Sequence, residues 1–287
     1  RLSEANHVYE AFNIHQPDLI RQLHFAYLRA GSQCLTTNTF AANQTHLGPL
    51  GEGDRTEQIN RAGVRLAHEA IAIFREHTQV NKNCFVLGSL GPPREPSSTS
   101  KESYREQIQA LVHQGVDALV LETFSRLPDV IAVVELIRQL NHALPVIVQM
   151  SLHQNGSEAT WERDPISYVE TVAKCGVQVI GINCCAPWDA VSFIERARSA
   201  PAIRENRAYL SATPNAGGLQ QVGNRSIMRV NPEYMGKLAR TLADQGARLI
   251  GGCCEVHPPH ISEMRNYLSG RQSSGQRFDL NSFTAKT

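Results

Sequence analysis

The sequence lacks several features that would place it in a common functional class. Its 28 Lys and Arg residues nearly balance its 27 Asp and Glu residues, so it lacks the strong field that favours nucleic acids or anionic membranes. No stretch approaches the run of about 18 apolar residues that a spanning helix needs, and the start lacks the apolar stretch of a secretory signal. We therefore expect a cytoplasmic protein with small-molecule partners, no nucleic acid and no membrane.

Two familiar motifs are also missing. The seven cysteines do not resemble the disulfide framework of a small secreted domain, so we expect them to be buried, metal-bound or catalytic. No G-x-G-x-x-G motif follows the first predicted strand, which argues against an open dinucleotide-binding sheet.

The sequence does contain a repeated alternation of helix and strand. Amphipathic helical segments precede seven β-rich runs, several of which are apolar at consecutive positions, as parallel strands covered on both faces are. The seven runs are "SQCLTTNTF", "CFVLGSLGPP", "VDALVLETF", "PVIVQMSL", "VQVIGINCC", "RAYLSATPNAG" and "ARLIGGCC". Seven such units in about 250 residues favour a (β/α)8 barrel of the TIM type over an open sheet.

The predicted barrel is one strand short. No convincing strand precedes the first helix near Gln16, so we expect the first barrel strand to lie upstream of Arg1. We assign residues 1–268 to a single barrel domain, truncated at its amino end. Residues 269–287 are polar and lack periodicity, which is typical of a tail or linker.

Four cysteines follow two of the predicted strands. Cys184 and Cys185 end "GINCC", and Cys253 and Cys254 end "GGCC", where the active sites of such barrels form. Neighbouring side chains of a regular strand point to opposite faces, so both members of a pair reach one centre only if the backbone departs from strand geometry, which Gly251 and Gly252 permit. Thiolates at one rim suit Zn²⁺, although buried packing explains the cysteines equally well.

The motifs around these cysteines resemble the homocysteine S-methyltransferase family. The similarity extends over about residues 10 to 267. It includes "QPDLIRQLH", "AGSQCLTTNTFAAN", "GSLGP", "VDALVLETF", "GINCC", "PNAG", "NPEYM" and "GGCCEVHPPHI", in this order. The resemblance implies an eight-stranded barrel that uses zinc to transfer a methyl group to the thiol of homocysteine, which gives methionine.

The resemblance also implies roles for particular residues. Cys184, Cys253 and Cys254 match the zinc ligands, Cys185 has no counterpart, and Glu122 matches the acidic residue that binds the homocysteine amino group. A structural ion pair is the alternative for Glu122. We expect further substrate contacts at strand ends from Asn38, Ser89, Asn183 and Asn215, any of which could instead cap a loop.

Some positions depart from the family pattern. No segment matches the family's first strand, which reads roughly "DGAMGT", and Glu255 stands where the family usually has glycine. The donor is open among S-adenosylmethionine and S-methylmethionine, which we favour, and betaine and methyltetrahydrofolate. Trp161 and Trp188, in loops after barrel strands, are candidates to contact a cationic donor, although ordinary loop packing is the favoured explanation for each. A methylenetetrahydrofolate reductase-like domain, as in one bacterial branch of the family, could follow the tail.

Two other classes of function remain open. One is a non-catalytic barrel with a structural zinc, in which Cys185 supplies a fourth ligand. The other is a redox switch in which Cys253 and Cys254 form a disulfide, although adjacent cysteines close a strained ring.

Overall fold

The protein contains one sheet of seven parallel strands. The computed structural model describes residues 8–79, 83–94, 100–151, 164–222 and 225–270. The parallel strands are β1 (Cys34–Thr36), β2 (Phe85–Leu90), β3 (Ala118–Phe124), β4 (Val146–Met150), β5 (Val179–Asn183), β6 (Tyr209–Thr213) and β9 (Ala247–Ile250). They are hydrogen-bonded in chain order. All seven predicted strands are therefore confirmed.

Helices connect the strands, and each crossover returns the chain to the same end of the sheet. The helices are α1 (Phe12–His15), α2 (Pro17–Ala30), α3 (Gln44–Leu47), α4 (Thr56–Thr78), α5 (Ser100–His113), α6 (Leu127–Leu140), α7 (Pro165–Lys174), α8 (Pro187–Ala197), α9 (Pro201–Arg204), α10 (Pro232–Asp244) and α11 (Pro258–Leu268). Short 3₁₀ helices span Tyr9–Ala11, Gly48–Leu50 and Gly53–Arg55. Several helices begin at proline, whose fixed φ suits the first helical position.

The sheet curls around its own small core. Leu87, Ala118, Val120 and Ile147 form an interior apolar cluster, against which Cys34 of β1 and Leu249 of β9 also pack. Residues from the two edge strands thus meet the same interior. The alternate strand residues point outward into a larger core shared with the helices.

These features confirm the (β/α) barrel of the TIM type with one strand missing. In the described residues β1 and β9 are the edges of the sheet, so the barrel is open between them there. The position of an eighth strand upstream of Arg1 stays a prediction. The same holds for the polar tail, of which residues 271–287 lie outside the described part of the chain.

One element was not predicted from the sequence. An antiparallel hairpin, β7 (Gly217–Val222) and β8 (Arg225–Arg229), lies between β6 and α10. Its glycines and polar residues lack the apolar pattern on which strand prediction depends. Among the described helices, none is both long and apolar enough to cross a bilayer.

Candidate metal and substrate site

The barrel interior changes from apolar to polar toward the carboxyl ends of the strands. Beyond the interior apolar cluster, inward positions toward the carboxyl ends of the strands carry polar side chains. They are Ser89 of β2, Glu122 of β3, Gln149 of β4, Asn183 of β5 and Thr213 of β6. Gln149 is buried and contacts Ser211 and Thr213 through hydrogen bonds of 3.3 and 3.1 Å. The polar layer forms the floor of a site at the end where TIM barrels place their active sites.

Three cysteines converge above this floor. The sulfur atoms of Cys184, Cys253 and Cys254 all lie within 4.8 Å of one another. Cys184 Sγ is 3.7 Å from Cys254 Sγ, and Cys253 Sγ is 4.0 Å from Cys254 Sγ. The structure thus brings together the three residues that sequence comparison predicted as metal ligands.

The first cysteine pair is divided between two environments. Cys184 directly follows β5 and has φ of 51°, which turns its side chain toward the cluster. Cys185 is 5% exposed and packs in the outer hydrophobic core. Burial raises the pKa of its thiol to about 12. Cys185 therefore lies outside the cluster, and the four-cysteine structural site has no fourth sulfur ligand there.

The second cysteine pair lies in a loop, and both thiols face the cluster. The last strand ends at Ile250, so both residues lie beyond the strand, where the backbone departs from strand geometry as the sequence predicted. The segment at 214–216 holds the loop by two backbone hydrogen bonds, from Cys253 N to Pro214 O and from Ala216 N to Cys254 O, each 3.0 Å long. These bonds replace strand pairing and remove the constraint of side-chain alternation.

Glycine is needed at Gly252 for space rather than for its backbone angles. A Cβ atom built at Gly252 would lie 2.3 Å from Val256 Cγ1, which is far inside van der Waals contact. The left-handed turn of the loop occurs instead at Glu255, where φ is 62°. Because glycine adopts this region without strain, the geometry explains why a glycine suits the position that Glu255 occupies.

Asn215 connects the two cysteine pairs. Its backbone N–H donates to Cys185 O at 2.9 Å. Its side-chain Oδ1 accepts from Cys254 N at 3.0 Å, and its Nδ2 lies 3.9 Å from Cys184 Sγ. The side-chain amide of Asn215 thus contacts the cysteine cluster directly. Its contact with a substrate stays a prediction.

Asn183 is likewise held by protein groups. Its Oδ1 accepts from Thr123 N and its Nδ2 donates to Thr123 Oγ1, each at 2.9 Å. The Nδ2 atom also lies 4.0 Å from Cys253 Sγ. Asn183 is fully buried, and through these contacts it connects β3 to the cysteine cluster.

The three thiols titrate as one group. Hydrogen bonding with Cys253 is the largest influence on Cys184 and lowers the pKa of its thiol to about 6. The same hydrogen bond and burial raise the pKa of Cys253, while burial and the charge of Cys184 raise the pKa of Cys254. Without a cation, the cluster holds one thiolate readily and resists further ionisation, since like charges repel at this separation.

Glu122 lies at the same rim with one polar partner. Ser89 Oγ donates to Glu122 Oε1 at 2.5 Å. Burial raises the pKa of the carboxyl group, the Ser89 hydrogen bond opposes this change, and the charge of Cys184 adds to it. In the described part of the chain no cationic side chain pairs with Glu122, which removes support for a structural ion pair.

The remaining predicted contact lies in a different environment. Asn38 Nδ2 donates to Tyr9 O at 2.8 Å and to Asn13 Oδ1 at 3.1 Å, so its amide belongs to a polar network at the amino end. Its substrate contact stays a prediction. Trp188, at the start of α8, is 58% exposed, and Trp161 lies outside the described residues.

Sequence reasoning missed two residues of this site. Thr123 had no visible signal, because its left-handed backbone angle, φ of 66°, is set by tertiary contacts. Gln149 did have a visible signal in the sequence, because it is the single polar residue in the strand "VIVQM".

Comparison with known proteins identifies relatives of this chain. Methionine synthases of Mycobacterium leprae and Mycobacterium tuberculosis are 28% and 27% identical over 268 residues, 89% of this chain and 22% of each relative. The S-methylmethionine–homocysteine S-methyltransferase of Pongo abelii is 26% identical over 275 residues, 89% of this chain and 71% of that protein. The chain therefore spans about a fifth of the length of these methionine synthases.

A solved structure supports the fold. The metallated form of the homocysteine methyltransferase of Escherichia coli superimposes with a TM-score of 0.75 at 21% identity, over 92% of this chain and 89% of that one. Residues 2–268 match the family description of homocysteine S-methyltransferases. The chain belongs to the homocysteine S-methyltransferase family.

Proposed function

We propose that this protein transfers a methyl group to the thiol of homocysteine, which gives methionine, and that it uses a zinc ion held by Cys184, Cys253 and Cys254. The convergence of three thiols at the same rim as the Glu122 carboxylate, which accepts a hydrogen bond from Ser89, carries this proposal. Family membership and the names of the relatives support the acceptor.

The geometry of the thiols fits zinc. Tetrahedral zinc with Zn–S bonds of about 2.3 Å requires neighbouring sulfur atoms about 3.8 Å apart, and the cluster has separations of 3.7 and 4.0 Å. Soft thiolate ligands favour zinc over magnesium or calcium. Three protein ligands leave one position of a tetrahedron open, as in catalytic zinc sites. The metallated form of the Escherichia coli protein supports a metal at such a site.

Bound zinc would deprotonate the substrate thiol, because a coordinating thiol loses its proton, and would thereby supply the nucleophile. The protein's own groups orient the amino acid. Glu122 is the acceptor for the ammonium group of homocysteine, and Ser89 fixes the carboxylate by its hydrogen bond. Asn215 and Asn183 hold the cysteine cluster and the end of β3 in place. Such positioning lowers the barrier of a displacement between two substrates, because their translational and rotational freedom is lost on binding and not in the reaction step.

The donor is proposed to be a sulfonium compound, S-methylmethionine or S-adenosylmethionine. In the transfer, one C–S bond forms to the acceptor as the bond from the methyl carbon to the donor sulfur breaks, so the donor leaves as a neutral thioether. The Pongo abelii relative, of which the chain covers 71%, is named for S-methylmethionine.

Methyltetrahydrofolate or betaine as donor, and a carboxyl-terminal methylenetetrahydrofolate reductase-like domain, stay predictions. So do the cytoplasmic location and the single barrel domain at 1–268.

The test is the coordination shell of the metal. X-ray absorption on the purified zinc-loaded protein, with and without homocysteine, should show three sulfur ligands and one light atom, and a fourth sulfur after homocysteine is added. Donor compounds are then screened for methionine formation. A shell of four sulfur atoms that does not respond to homocysteine would show that the zinc is structural and would contradict the proposal.

The redox alternative has its own signature. Cys253 and Cys254 are free thiols 4.0 Å apart in this structure. If the pair were a switch, mild oxidation would join these two residues and reduction would restore activity, with Cys184 dispensable. Peptide mapping after oxidation of wild type and Cys184→Ser distinguishes the two functions.

A further inference from the structure

Thr123 has a backbone conformation that its side chain disfavours. Its φ of 66° lies in the left-handed region, where a β-branched residue is a conformational outlier. Such strain persists only where surrounding contacts impose it, and it concentrates at functional sites. Thr123 directly follows Glu122, the residue proposed to bind the substrate amino group.

The strained residue changes which side of β3 faces the barrel interior. Val120 packs in the interior cluster, whereas Leu121 and Phe124 pack in the outer core. Regular alternation would place Phe124 on the interior face with Val120. The pairing of β3 with β4 has an irregularity between Glu122 and Phe124. Thr123 thus absorbs the shift that leaves Glu122 as the last interior residue of the strand.

A two-point clamp holds Thr123 in this conformation. Asn183 accepts from its backbone N–H and donates to its hydroxyl oxygen, both at 2.9 Å. Ser151 Oγ donates to the Thr123 carbonyl at 3.2 Å. Because Asn183 is fully buried, losing one of these partners leaves an unpaired amide group in the interior.

The clamp connects the two halves of the proposed site. Thr123 is adjacent in sequence to Glu122, and Asn183 is adjacent to the metal ligand Cys184. Asn183 Nδ2 also lies 4.0 Å from Cys253 Sγ. A displacement of either residue therefore changes the separation between the carboxylate and the thiol cluster.

We propose that Thr123 and Asn183 are a positioning pair that sets the Glu122 carboxylate relative to the cysteine cluster and thereby selects a thiol substrate carrying an amino group. This inference rests on the proposed function. It predicts selectivity, rather than metal binding or folding, as the property that changes when the clamp is weakened.

The experiment compares two thiols that differ only by the amino group, homocysteine and 4-mercaptobutyrate. Their dissociation constants are measured by calorimetry on zinc-loaded wild type, Thr123→Val and Thr123→Ser. Thr123→Val removes the hydroxyl that accepts from Asn183 and keeps the branched shape. We expect its preference for homocysteine to fall about five-fold, the effect of one hydrogen bond. Thr123→Ser keeps the hydroxyl and should retain the preference.

A third variant separates positioning from folding. Thr123→Gly removes the same hydroxyl and also relieves the left-handed strain. Relief of the strain offsets the cost of the unpaired Asn183 amide, so this variant should unfold at about the same urea concentration as wild type and still lose the preference. Zinc content should match that of wild type in all three variants.

The outcomes are distinguishable. If wild type binds both thiols equally, the amino-group role of Glu122 fails and the positioning inference fails with it. If wild type prefers homocysteine and Thr123→Val keeps the full preference, the positioning inference alone is overturned. In the double variant Thr123→Val with Glu122→Gln, the preference should be no lower than in Glu122→Gln alone, because Thr123 acts through Glu122. If the two substitutions lowered the preference additively, Thr123 would not act through Glu122, and the inference would be contradicted.

Discussion

The two pairs of adjacent cysteines have the same sequence and different structures. In the first pair Cys184 faces the thiol cluster, while Cys185 is buried in the outer core. In the second pair both Cys253 and Cys254 face the cluster. The first pair follows its strand directly and is divided between two faces, and the left-handed turn at Cys184 decides which of its two sulfur atoms joins the cluster. The second lies in a loop that is paired with residues 214–216 instead of a strand.

This difference shows that being a cysteine beside a strand end does not by itself make a residue a metal ligand. A cysteine becomes part of the cluster when the backbone directs its sulfur there, and the neighbouring side chain is then placed by the same backbone. Strand geometry permits one sulfur from each pair, so the third ligand depends on the loop. The predictions below test the two pairs against each other.

The largest effect is expected from Cys253→Ser. It removes one of three proposed ligands, so zinc affinity should fall by more than the ~100-fold, or about 2.7 kcal/mol, that loss of an outer-shell partner can cost. Affinity is measured by competition with a chromophoric chelator. Unchanged affinity would show that Cys253 is not a ligand.

Cys185→Ser is the matched control from the first pair. The substitution places a hydroxyl in the apolar core, where Cys185 is 5% exposed, so the free energy of unfolding should fall by about 1–3 kcal/mol. Zinc content should not change. Loss of zinc with normal stability would return Cys185 to the list of ligands.

Asn215→Ala tests the connection between the pairs. It removes the acceptor of Cys254 N and the donor near Cys184 Sγ, so zinc affinity should fall by about 10- to 100-fold. Asn231→Ala is the control, because Asn231 caps α10 through a 2.8 Å hydrogen bond to Tyr234 N. It should cost about 1 kcal/mol of stability and leave zinc affinity unchanged. Equal affinity in both variants would dismiss the role of Asn215.

Gly252→Ala tests the space inside the second loop. The added Cβ would lie 2.3 Å from Val256 Cγ1, whereas a Cβ at Gly251 would lie 3.1 Å from Thr213 Cγ2. We expect Gly252→Ala to lower the free energy of unfolding by about 1–3 kcal/mol and Gly251→Ala to cost less. The cost should shrink in a Val256→Ala background. Urea unfolding is measured on wild type, the three single variants and the Gly252→Ala, Val256→Ala double variant, and a cost independent of Val256 would refute the steric explanation.

Glu255→Gly should have the smallest effect and the opposite sign. The left-handed conformation of Glu255 is strained for a non-glycine residue, and glycine would relieve this strain at the cost of greater freedom in the unfolded chain. The free energy of unfolding should rise by ~0.5 kcal/mol. A decrease would mean that the Glu255 contact with His257, 3.6 Å away, outweighs the strain.

Much of the barrel could be predicted from the sequence. Apolar runs separated by amphipathic helices predicted all seven parallel strands, because burial of a strand on both faces requires that pattern. The hairpin β7–β8 was missed, since its residues carry no such pattern. The three thiols and Glu122 were predicted through family resemblance, and the structure brings the thiols together.

The sequence by itself determined the order of strands and helices and the positions of the cysteines along them, because hydrophobic period and residue identity are local properties. Only the tertiary structure decided that one cysteine of the first pair and both of the second join the cluster, and that Asn183 holds Thr123 in a left-handed conformation beside Glu122. These outcomes depend on contacts between residues 60 or more positions apart. Such contacts form only when the chain folds, so they cannot be predicted from a local sequence pattern.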